Sequence, residues 1–309
     1  MSDAFLVAEP GLLTTIQDLG RPHVVASGVP AGGAMDRFAH SAANLLVGND
    51  RGAATLECTV RGPRLKAVRP SVVAVTGADL EPQVNGRPAP TWTAFAVEAG
   101  DELRFGRRKL GMRAYVAVAG GFLGDRWLGS TSTNLMTARG GMRGRALTAG
   151  DTLAAGVPIV DETGRALEES MRPRYDDHTL HAVAGPHAKR LVPESRAALF
   201  GARFTISHDS NRMGYRLDGP ALGASGEELL SFALVAGAVQ LPGGGKPILL
   251  MADHQTAGGY PVIAVVVSAS MPVAAQLAPG DEMVFAETTV DRALEMRAGQ
   301  LAALESLMS

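Results

Sequence analysis

The residues best suited to chemistry lie in two polar loops, at positions 211–220 and 253–261, which flank two apolar segments. The loops combine a cation, a carboxylate, an amide, a hydroxyl and tyrosines with several glycines. The side chains concerned are Arg212, Tyr215, Asp253, Gln255, Thr256 and Tyr260. Polar loops carried on apolar strands often hold binding and catalytic residues, and glycine lets a ligand approach the backbone closely. Such a set could bind and orient a small amide, but two ordinary turns and a structural ion pair would show the same pattern.

The alternation of polar residues after the apolar segment 248–252 predicts a pocket shared by two of these side chains. If that segment is a strand that continues to residue 255, Asp253 and Gln255 face the same side of it. Gly258 and Gly259 would then allow the chain to turn back.

Two polar segments of the N-terminal half are further, separate candidates. Residues 14–22 include Gln17, Asp18 and Arg21, and they shape either a pocket or a purely structural loop. Residues 129–134 include Ser132 and are followed by three arginines at 139, 143 and 145. Hydroxyls, backbone N–H groups and arginines could hold a carboxylate or phosphate, although a solvated hairpin would look the same.

Several familiar sites are missing from the sequence. No Gly-x-Ser-x-Gly motif presents a nucleophilic serine. The run Gly243-Gly244-Gly245-Lys246-Pro247 has proline where a phosphate loop needs serine or threonine, so it indicates a turn with a lysine. No cluster of His, Asp or Glu stands at metal-ligand spacing, and we expect no metal site.

Composition limits the classes of function. The formal net charge of −2 gives no basic field for nucleic acid or an anionic membrane. The single cysteine, Cys58, lies in an apolar run and is expected to be a buried thiol in a reducing, cytoplasmic setting. The N-terminus lacks the pattern of a secretion signal, and prolines and β-branched residues in the uncharged stretch 261–278 favour a buried strand and a turn over a membrane span.

The elements that must position these residues are mainly β-strands. Short apolar runs separated by Gly, Pro, Asn or Asp recur along the chain and are typical of barrels or sandwiches. Helical spacing occurs at Met35–Val47, which Asp36 could cap, and at Thr289–Met308.

A weak internal repeat suggests two related halves. The Gly-Asp turn at 100–101, which leads into a strand, resembles the turn at 280–281, and residues 150–151 form a weaker third copy. We therefore predict an N-terminal half at 1–160, a polar linker at 161–177 and a C-terminal half with a terminal helix at 178–309.

Several of these segments, in the same order, resemble the biotin-dependent carboxyltransferase family. This family includes the C subunit of 5-oxoprolinase (KipA-like), is often labelled allophanate hydrolase subunit 2, and is similar to part of the carboxyltransferase region of urea carboxylase. The segments are residues 11–21, 28–30, 34–36 and 44–49, Arg-Met-Gly-Tyr-Arg-Leu at 212–217, and Asp-x-Gln-Thr-x-Gly-Gly-Tyr-Pro at 253–261. The resemblance covers nearly the whole chain.

The resemblance implies two cyclophilin-like β-barrel halves with a few short helices and a C-terminal helix. It also implies two partners, namely a KipI-like protein as the B subunit and a LamB/YcsF-type protein as the A subunit. Together they would use ATP to hydrolyse 5-oxoproline (pyroglutamate), a lactam, to glutamate.

The resemblance further implies roles for individual residues. Asp253 would act as a base or orienting group, Arg212 would bind a carboxylate or phosphate, and Gln255 would bind an amide. The other implied substrate-binding residues are Tyr215, Thr256, Tyr260, Gln17, Asp18, Arg21 and Ser132.

Two other functions stay open. One is a urea carboxylase or allophanate-type subunit, in which biotin would need a separate carrier protein because no Ala-Met-Lys-Met motif is present. The other is a KipA-like regulator that binds a KipI-like kinase inhibitor. The family often has Asp, Arg and Thr at the positions of Asn211, His254 and Ala257, and Arg at Thr131, which leaves the substrate open.

Overall fold

The computed structural model describes residues 2–158 and 163–308. Short strands are its main elements, which confirms the predicted mainly β fold. Two units emerge from the contacts within the chain. The first comprises Met1–Arg21, Gly32–Pro173 and Gln300–Ser309, and the second Pro22–Ala31 and Arg174–Gly299. The predicted boundary at 160 and 161 lies outside the described residues. The chain passes from the first unit to the second between Pro173 and Arg174.

The first unit contains two antiparallel sheets. Its strands are β1 (Ser2–Glu9), β2 (Leu13–Gln17), β3 (Thr55–Thr59), β4 (Arg64–Ala67), β5 (Ser71–Asp79), β6 (Pro82–Val84), β7 (Arg87–Pro88), β8 (Ala94–Val97), β9 (Glu102–Phe105), β10 (Leu110–Val118) and β11 (Thr152–Ala155). One sheet has the order β11-β1-β4-β9-β6-β7 and the other β2-β3-β10-β5-β8. Side chains from both sheets, such as Phe5 and Val116, share one buried apolar core.

The second unit is built around a closed barrel. Its strands are β12 (Thr179–Ala184), β13 (Arg203–Ile206), β14 (Gly214–Asp218), β15 (Phe232–Ala233), β16 (Ala238–Gln240), β17 (Ile248–Leu250), β18 (Ala257–Gly258), β19 (Val262–Val266) and β20 (Glu282–Glu287). The barrel has the order β12-β19-β16-β17-β14-β13-β20, closed by a parallel pairing of β12 with β20, and β15 pairs with β18 separately. Phe204 and Phe285 pack 5.8 Å apart between ring centroids.

Both predicted helices are present. The α-helices are α1 (Arg37–Leu46), α2 (Pro193–Gly201), α3 (Met271–Gln276) and α4 (Val290–Glu305), and short 3-10 helices span Pro22–Ser27, Glu169–Met171, Ala188–Arg190 and Ser268–Ser270. The carboxylate of Asp36 caps α1 by accepting a hydrogen bond from the Ala39 N–H at 2.9 Å. The short helix α2 begins at a proline, which suits a first turn because that position needs no N–H donor. None of the helices among the described residues is both long and apolar enough to cross a membrane.

The three Gly-Asp turns have the same local structure. Gly100, Gly150 and Gly280 have φ of 96°, 89° and 89°, in the left-handed region that favours glycine. In each turn the aspartate carboxylate accepts a hydrogen bond from the backbone N–H three residues earlier, at 2.8, 2.7 and 2.8 Å. A strand follows each turn, so the sequence repeat reflects a repeated structural unit that occurs in both parts of the chain.

Candidate active site

Arg212 and Asp253 form a nearly buried ion pair in the second unit. Arg212 Nε lies 2.8 Å from Asp253 Oδ2 and Nη2 lies 3.2 Å from Oδ1, and about a tenth of each side chain is exposed (10% and 11%). The strands explain this contact, because Arg212 precedes β14 and Asp253 follows β17, and Gly214 pairs with Leu250 in the antiparallel ladder. The Asp253 N–H also donates to the Arg212 carbonyl at 2.8 Å. The backbone and the side chains therefore hold this pair in one geometry.

The strand on which the shared pocket of Asp253 and Gln255 depended ends before either residue. Strand β17 ends at Leu250, and residues 252–253 form a turn in which the His254 N–H donates to the Met251 carbonyl at 3.2 Å. Alternation along a strand therefore does not place Asp253 and Gln255 on one side. The turn itself brings Asp253 to Arg212.

The other predicted residues of this loop have distinct surroundings. Gln255 Nε2 donates to Gln240 Oε1 at 3.2 Å. The ring of His254 contacts the Gln255 carbonyl at 2.7 Å between Nδ1 and O, and burial lowers the pKa of this histidine. Thr256 accepts a hydrogen bond from the Leu234 N–H through its own carbonyl, at 2.9 Å.

The two predicted tyrosines differ in exposure. Tyr215 is buried on β14, whereas Tyr260 is 51% exposed. Tyr260 lines an open groove of about 600 Å³ in the second unit, together with Arg190, Glu227, Leu241 and Gly259. The groove offers a ligand one aromatic ring, one arginine and several glycines, and the glutamates at 227 and 228 also line it.

Asp18 is the centre of the candidate cluster in the first unit. Its Oδ1 accepts hydrogen bonds from the Gly20 N–H at 2.7 Å and from the hydroxyls of Ser130 and Ser132 at 2.7 and 2.6 Å. Its Oδ2 accepts from the Thr131 N–H at 2.6 Å. The structure thus joins the two segments that the sequence suggested as separate loops. Residues 129–134 were a candidate site for the carboxylate or phosphate of a ligand. In the structure the carboxylate of Asp18 occupies that site.

Arg21 and Gln17 are fully buried beside this cluster. The Arg21 guanidinium donates to the carbonyls of Trp127 and Ser132 and lies 4.8 Å from the centre of the Trp127 ring. Gln17 Nε2 donates to Thr15 Oγ1 at 3.0 Å and to the Thr133 carbonyl at 3.2 Å. The four predicted residues Gln17, Asp18, Arg21 and Ser132 are therefore brought together.

A buried polar network around helix α1 was not identified from the sequence. The Tyr115 hydroxyl donates to Glu57 Oε2 at 2.7 Å and accepts from the Asp36 N–H at 2.8 Å. Burial raises the pKa of Tyr115 well above its ordinary value, and burial lowers the pKa of His40 to about 4. A signal was available, because Glu57 is a charged residue between Leu56 and Cys58 in β3, and Tyr115 is a polar residue in the mainly apolar strand β10.

We examined the glycine-rich turn at 243–247 as a nucleotide site and the grouping of His, Cys, Asp and Glu side chains as a metal site. Lys246, in the glycine-rich turn, has its ammonium 2.7 Å from Asp218 Oδ1 at the surface, so the turn does not fit a phosphate-binding loop. Among residues 2–158 and 163–308, no three His, Cys, Asp or Glu side chains are grouped in a way that could hold a metal ion.

Comparison with known proteins identifies the family. The family described as carboxyltransferase domain, subdomain A and B, matches residues 27–287. The chain belongs to this family. The resemblance inferred from the sequence motifs is thereby confirmed.

Relatives extend the match over nearly the whole chain. The chain is 37% identical to the C subunit of 5-oxoprolinase from Escherichia coli (strain K12), covering 97% of this chain and 96% of the relative. It is 35% identical to the corresponding C subunit from Haemophilus influenzae, covering 92% and 91%. The crystal structure of the Kluyveromyces lactis urea carboxylase matches with a TM-score of 0.93 and 28% identity, over 99% of this chain but 29% of that one.

Proposed function

We propose that this chain is the C subunit of an ATP-dependent 5-oxoprolinase complex, which hydrolyses 5-oxoproline to glutamate. The observation that supports this most is the match to the Escherichia coli protein, which covers 97% of this chain and 96% of the relative. A relative matched over nearly its whole length suggests the same place in an assembly. We propose a KipI-like B subunit together with a LamB/YcsF-type A subunit as the partners.

The second unit supplies groups that suit a small amide substrate. The Gln255 amide can pair with a lactam, and the Arg212–Asp253 pair presents a carboxylate whose position is set by two hydrogen bonds. Tyr260 and Arg190 line the open groove of the second unit, where they would receive the ring and the carboxylate of 5-oxoproline. Donors directed at the oxygen where charge develops would favour ring opening.

ATP supplies the chemical drive in this proposal, because phosphorylation of the lactam oxygen would turn an unreactive amide into an electrophile. The glycine-rich turn of this chain does not suit that nucleotide, since Lys246 pairs with Asp218. We therefore assign ATP to the complex as a whole rather than to this turn.

A urea carboxylase-type subunit is the second candidate, and the TM-score of 0.93 to the Kluyveromyces lactis enzyme favours it. This chain spans 29% of that protein, so a biotin-dependent reaction would need a carrier and other domains from separate chains.

Co-expression with the proposed partner subunits separates the candidates. We expect ATP-dependent glutamate release from 5-oxoproline and no ATP-dependent turnover of urea. Turnover of urea instead would favour the second candidate, and tight partner binding with no turnover of either would favour a regulatory protein.

A further inference from the structure

His187 contacts both chain segments that carry the side chains of the open groove in the second unit. A 3-10 turn begins directly after His187 and ends with Arg190, whose N–H donates to the His187 carbonyl at 2.9 Å. On the other side His187 bonds to Val262, which lies two positions after Tyr260 in the chain. Arg190 and Tyr260 both line the groove of about 600 Å³. One residue therefore connects the segments of both.

The contact between these segments uses the backbone and the imidazole ring together. The His187 N–H donates to the Val262 carbonyl at 3.0 Å, and the Val262 N–H donates to Nδ1 of the His187 ring at 3.1 Å. Nearby, the Gly185 N–H donates to the Ile263 carbonyl at 3.1 Å. A Cβ atom at Gly185 would clash with the Val262 carbonyl oxygen, so glycine permits this close approach. The ring thus adds a side-chain bond to a backbone contact that is already tight.

The same ring supports the loop that holds the other candidate residues. It packs against the ring of Phe232, with 4.9 Å between the ring centres and an angle of 44° between the planes. Phe232 lies on β15, where it pairs with Gly258 on β18. Because β18 lies between Gln255 and Tyr260, the position of the His187 ring affects this loop as well as the turn of Arg190.

The bond from the Val262 N–H requires a neutral imidazole. Nδ1 accepts a hydrogen bond only when it carries no proton, so the proton of the neutral ring is on Nε2. A proton on Nδ1 would turn the acceptor into a donor that faces another N–H. Strands β15 and β19, which contact the ring, contain no charged residue, and Lys189 is exposed. Burial and the Arg190 guanidinium lower the pKa of His187 from its ordinary value of 6.5, which favours the neutral ring at neutral pH.

We propose that His187 is a positioning residue of the groove, whose neutral ring holds the segments of Arg190 and Tyr260 at the spacing that a small carboxylate ligand needs, and that protonation of the ring releases this hold. His187 acts through Arg190 and Tyr260 and does not itself bind the ligand. Binding in the groove should therefore weaken as the pH falls through the pKa of His187, which lies below 6.5. This inference rests on the proposed function in one respect, namely that the carboxylate is that of 5-oxoproline.

Two substitutions of His187 separate the acceptor from the titration. In His187→Asn the side-chain oxygen is bonded to Cγ, as Nδ1 is in histidine, so it can accept the same hydrogen bond but does not gain a proton. His187→Leu has no acceptor. At pH 7.5 we expect His187→Leu to raise KM for 5-oxoproline about tenfold in the reconstituted complex, with a smaller change in kcat, because one hydrogen bond that positions binding groups is lost. The KM of His187→Asn should stay near that of the wild type.

The pH profile tests the second part of the proposal. Between pH 7.5 and pH 5, KM of the wild type should rise about threefold relative to that of His187→Asn, because only the wild type can gain the proton. His208→Leu, at an exposed histidine of the same unit, is the matched control and should follow the wild type. Equal KM of the wild type and folded His187→Leu at pH 7.5, or equal profiles of the wild type and His187→Asn, would overturn the proposal.

Hydrogen exchange of the full chain tests the contact without turnover. The Val262 amide should be protected at pH 7.5 in the wild type and in His187→Asn, and less protected in His187→Leu, after correction for the intrinsic exchange rate. At pH 5 the wild type should lose this protection and His187→Asn should keep it. Thermal unfolding shows which variants are folded, and the comparison of the wild type with His187→Asn does not depend on His187→Leu. Equal protection of Val262 in the wild type and His187→Asn at both pH values would contradict the release on protonation.

The two proposals fail in different ways. If the wild-type complex releases no glutamate from 5-oxoproline, the proposed function fails, and hydrogen exchange still decides the role of His187. In that case, loss of protection at pH 5 in both the Arg190 and the Tyr260–Val262 segments of the wild type, but not of His187→Asn, supports the positioning role. Unchanged protection in either segment contradicts it.

Discussion

Arg212 and Asp253, 41 residues apart in the chain, meet through two hydrogen bonds at the ends of paired strands β14 and β17. About a tenth of each side chain is exposed, so neither charge is well hydrated and each depends on the other. The carboxylate is thereby held in one orientation next to the loop that carries Gln255 and Tyr260.

Replacing Asp253 by alanine should abolish activity of the reconstituted complex and leave a folded but less stable chain. The guanidinium of Arg212 would remain nearly buried and lose the carboxylate of Asp253, at a cost of about 3 kcal/mol in the free energy of unfolding. Urea denaturation measures this loss, and glutamate release measures the activity. Asp218→Ala is the control, because it breaks the exposed pair with Lys246 and should change neither quantity. Unchanged turnover in Asp253→Ala would remove Asp253 from the site.

Replacing Asp18 by asparagine should destabilise the first unit. Asp18 accepts four hydrogen bonds, and asparagine would present a donor to at least one of the hydroxyls or N–H groups that now donate to it. We expect a loss of about 2 kcal/mol, as for the removal of hydrogen bonds to a charged group. Asp50→Asn, at an exposed position, is the control in the same denaturation experiment. Equal stability of Asp18→Asn and the wild type would contradict the importance of this cluster.

His40 should make the stability depend on pH. Burial lowers the pKa of His40 from 6.5 to about 4, so between these values the unfolded chain binds a proton that the folded chain does not. Stability should therefore be lost as the pH falls through this window, by about 3 kcal/mol at about 1.4 kcal/mol per pH unit.

The variant His40→Gln isolates this contribution. Its free energy of unfolding should change less between pH 6.5 and pH 4 than that of the wild type. His208→Gln, which alters an exposed histidine, should follow the wild-type curve. Parallel curves for His40→Gln and the wild type would show that folding does not lower the pKa of His40, contrary to its burial.

Cys58 should be unreactive in the folded chain. The thiol is fully buried, and burial raises its pKa well above the ordinary value, so very little thiolate is available. We expect no labelling by iodoacetamide at pH 8 over the time in which a denatured sample is fully labelled, as measured by mass spectrometry. Rapid labelling of the native chain would contradict the buried position.

Much of the fold could be predicted because local patterns and tertiary structure agree. Apolar runs bounded by turn residues became strands, and the predicted helix at Met35–Val47 has Asp36 as its cap. The buried strand predicted within 261–278 is β19, but the segment predicted as a turn after it forms a 3-10 helix and the short helix α3. Helix α2 was missed because its apolar residues lack a regular stripe, and only two of its side chains are buried.

The sequence identified many of the candidate residues, but it did not predict how they contact one another. Arg212 and Asp253 were both identified as candidates, but the end of strand β17 at Leu250 was not predicted, since tertiary packing decides where a ladder stops. The cluster at Asp18 joins residues more than a hundred positions apart, and a local sequence pattern cannot predict contacts over that distance. Glu57 and Tyr115 were overlooked because the sequence marks each as a polar residue beside apolar ones but does not show which polar group it meets across the fold.

The most direct test of the central claim is ATP-dependent glutamate release from 5-oxoproline by a complex reconstituted from separately purified subunits, with and without this chain. We expect release only when this chain is present together with the proposed partners. Release at the same rate without the chain, or no release from the complete complex, would contradict the proposal that it is the C subunit of a 5-oxoprolinase.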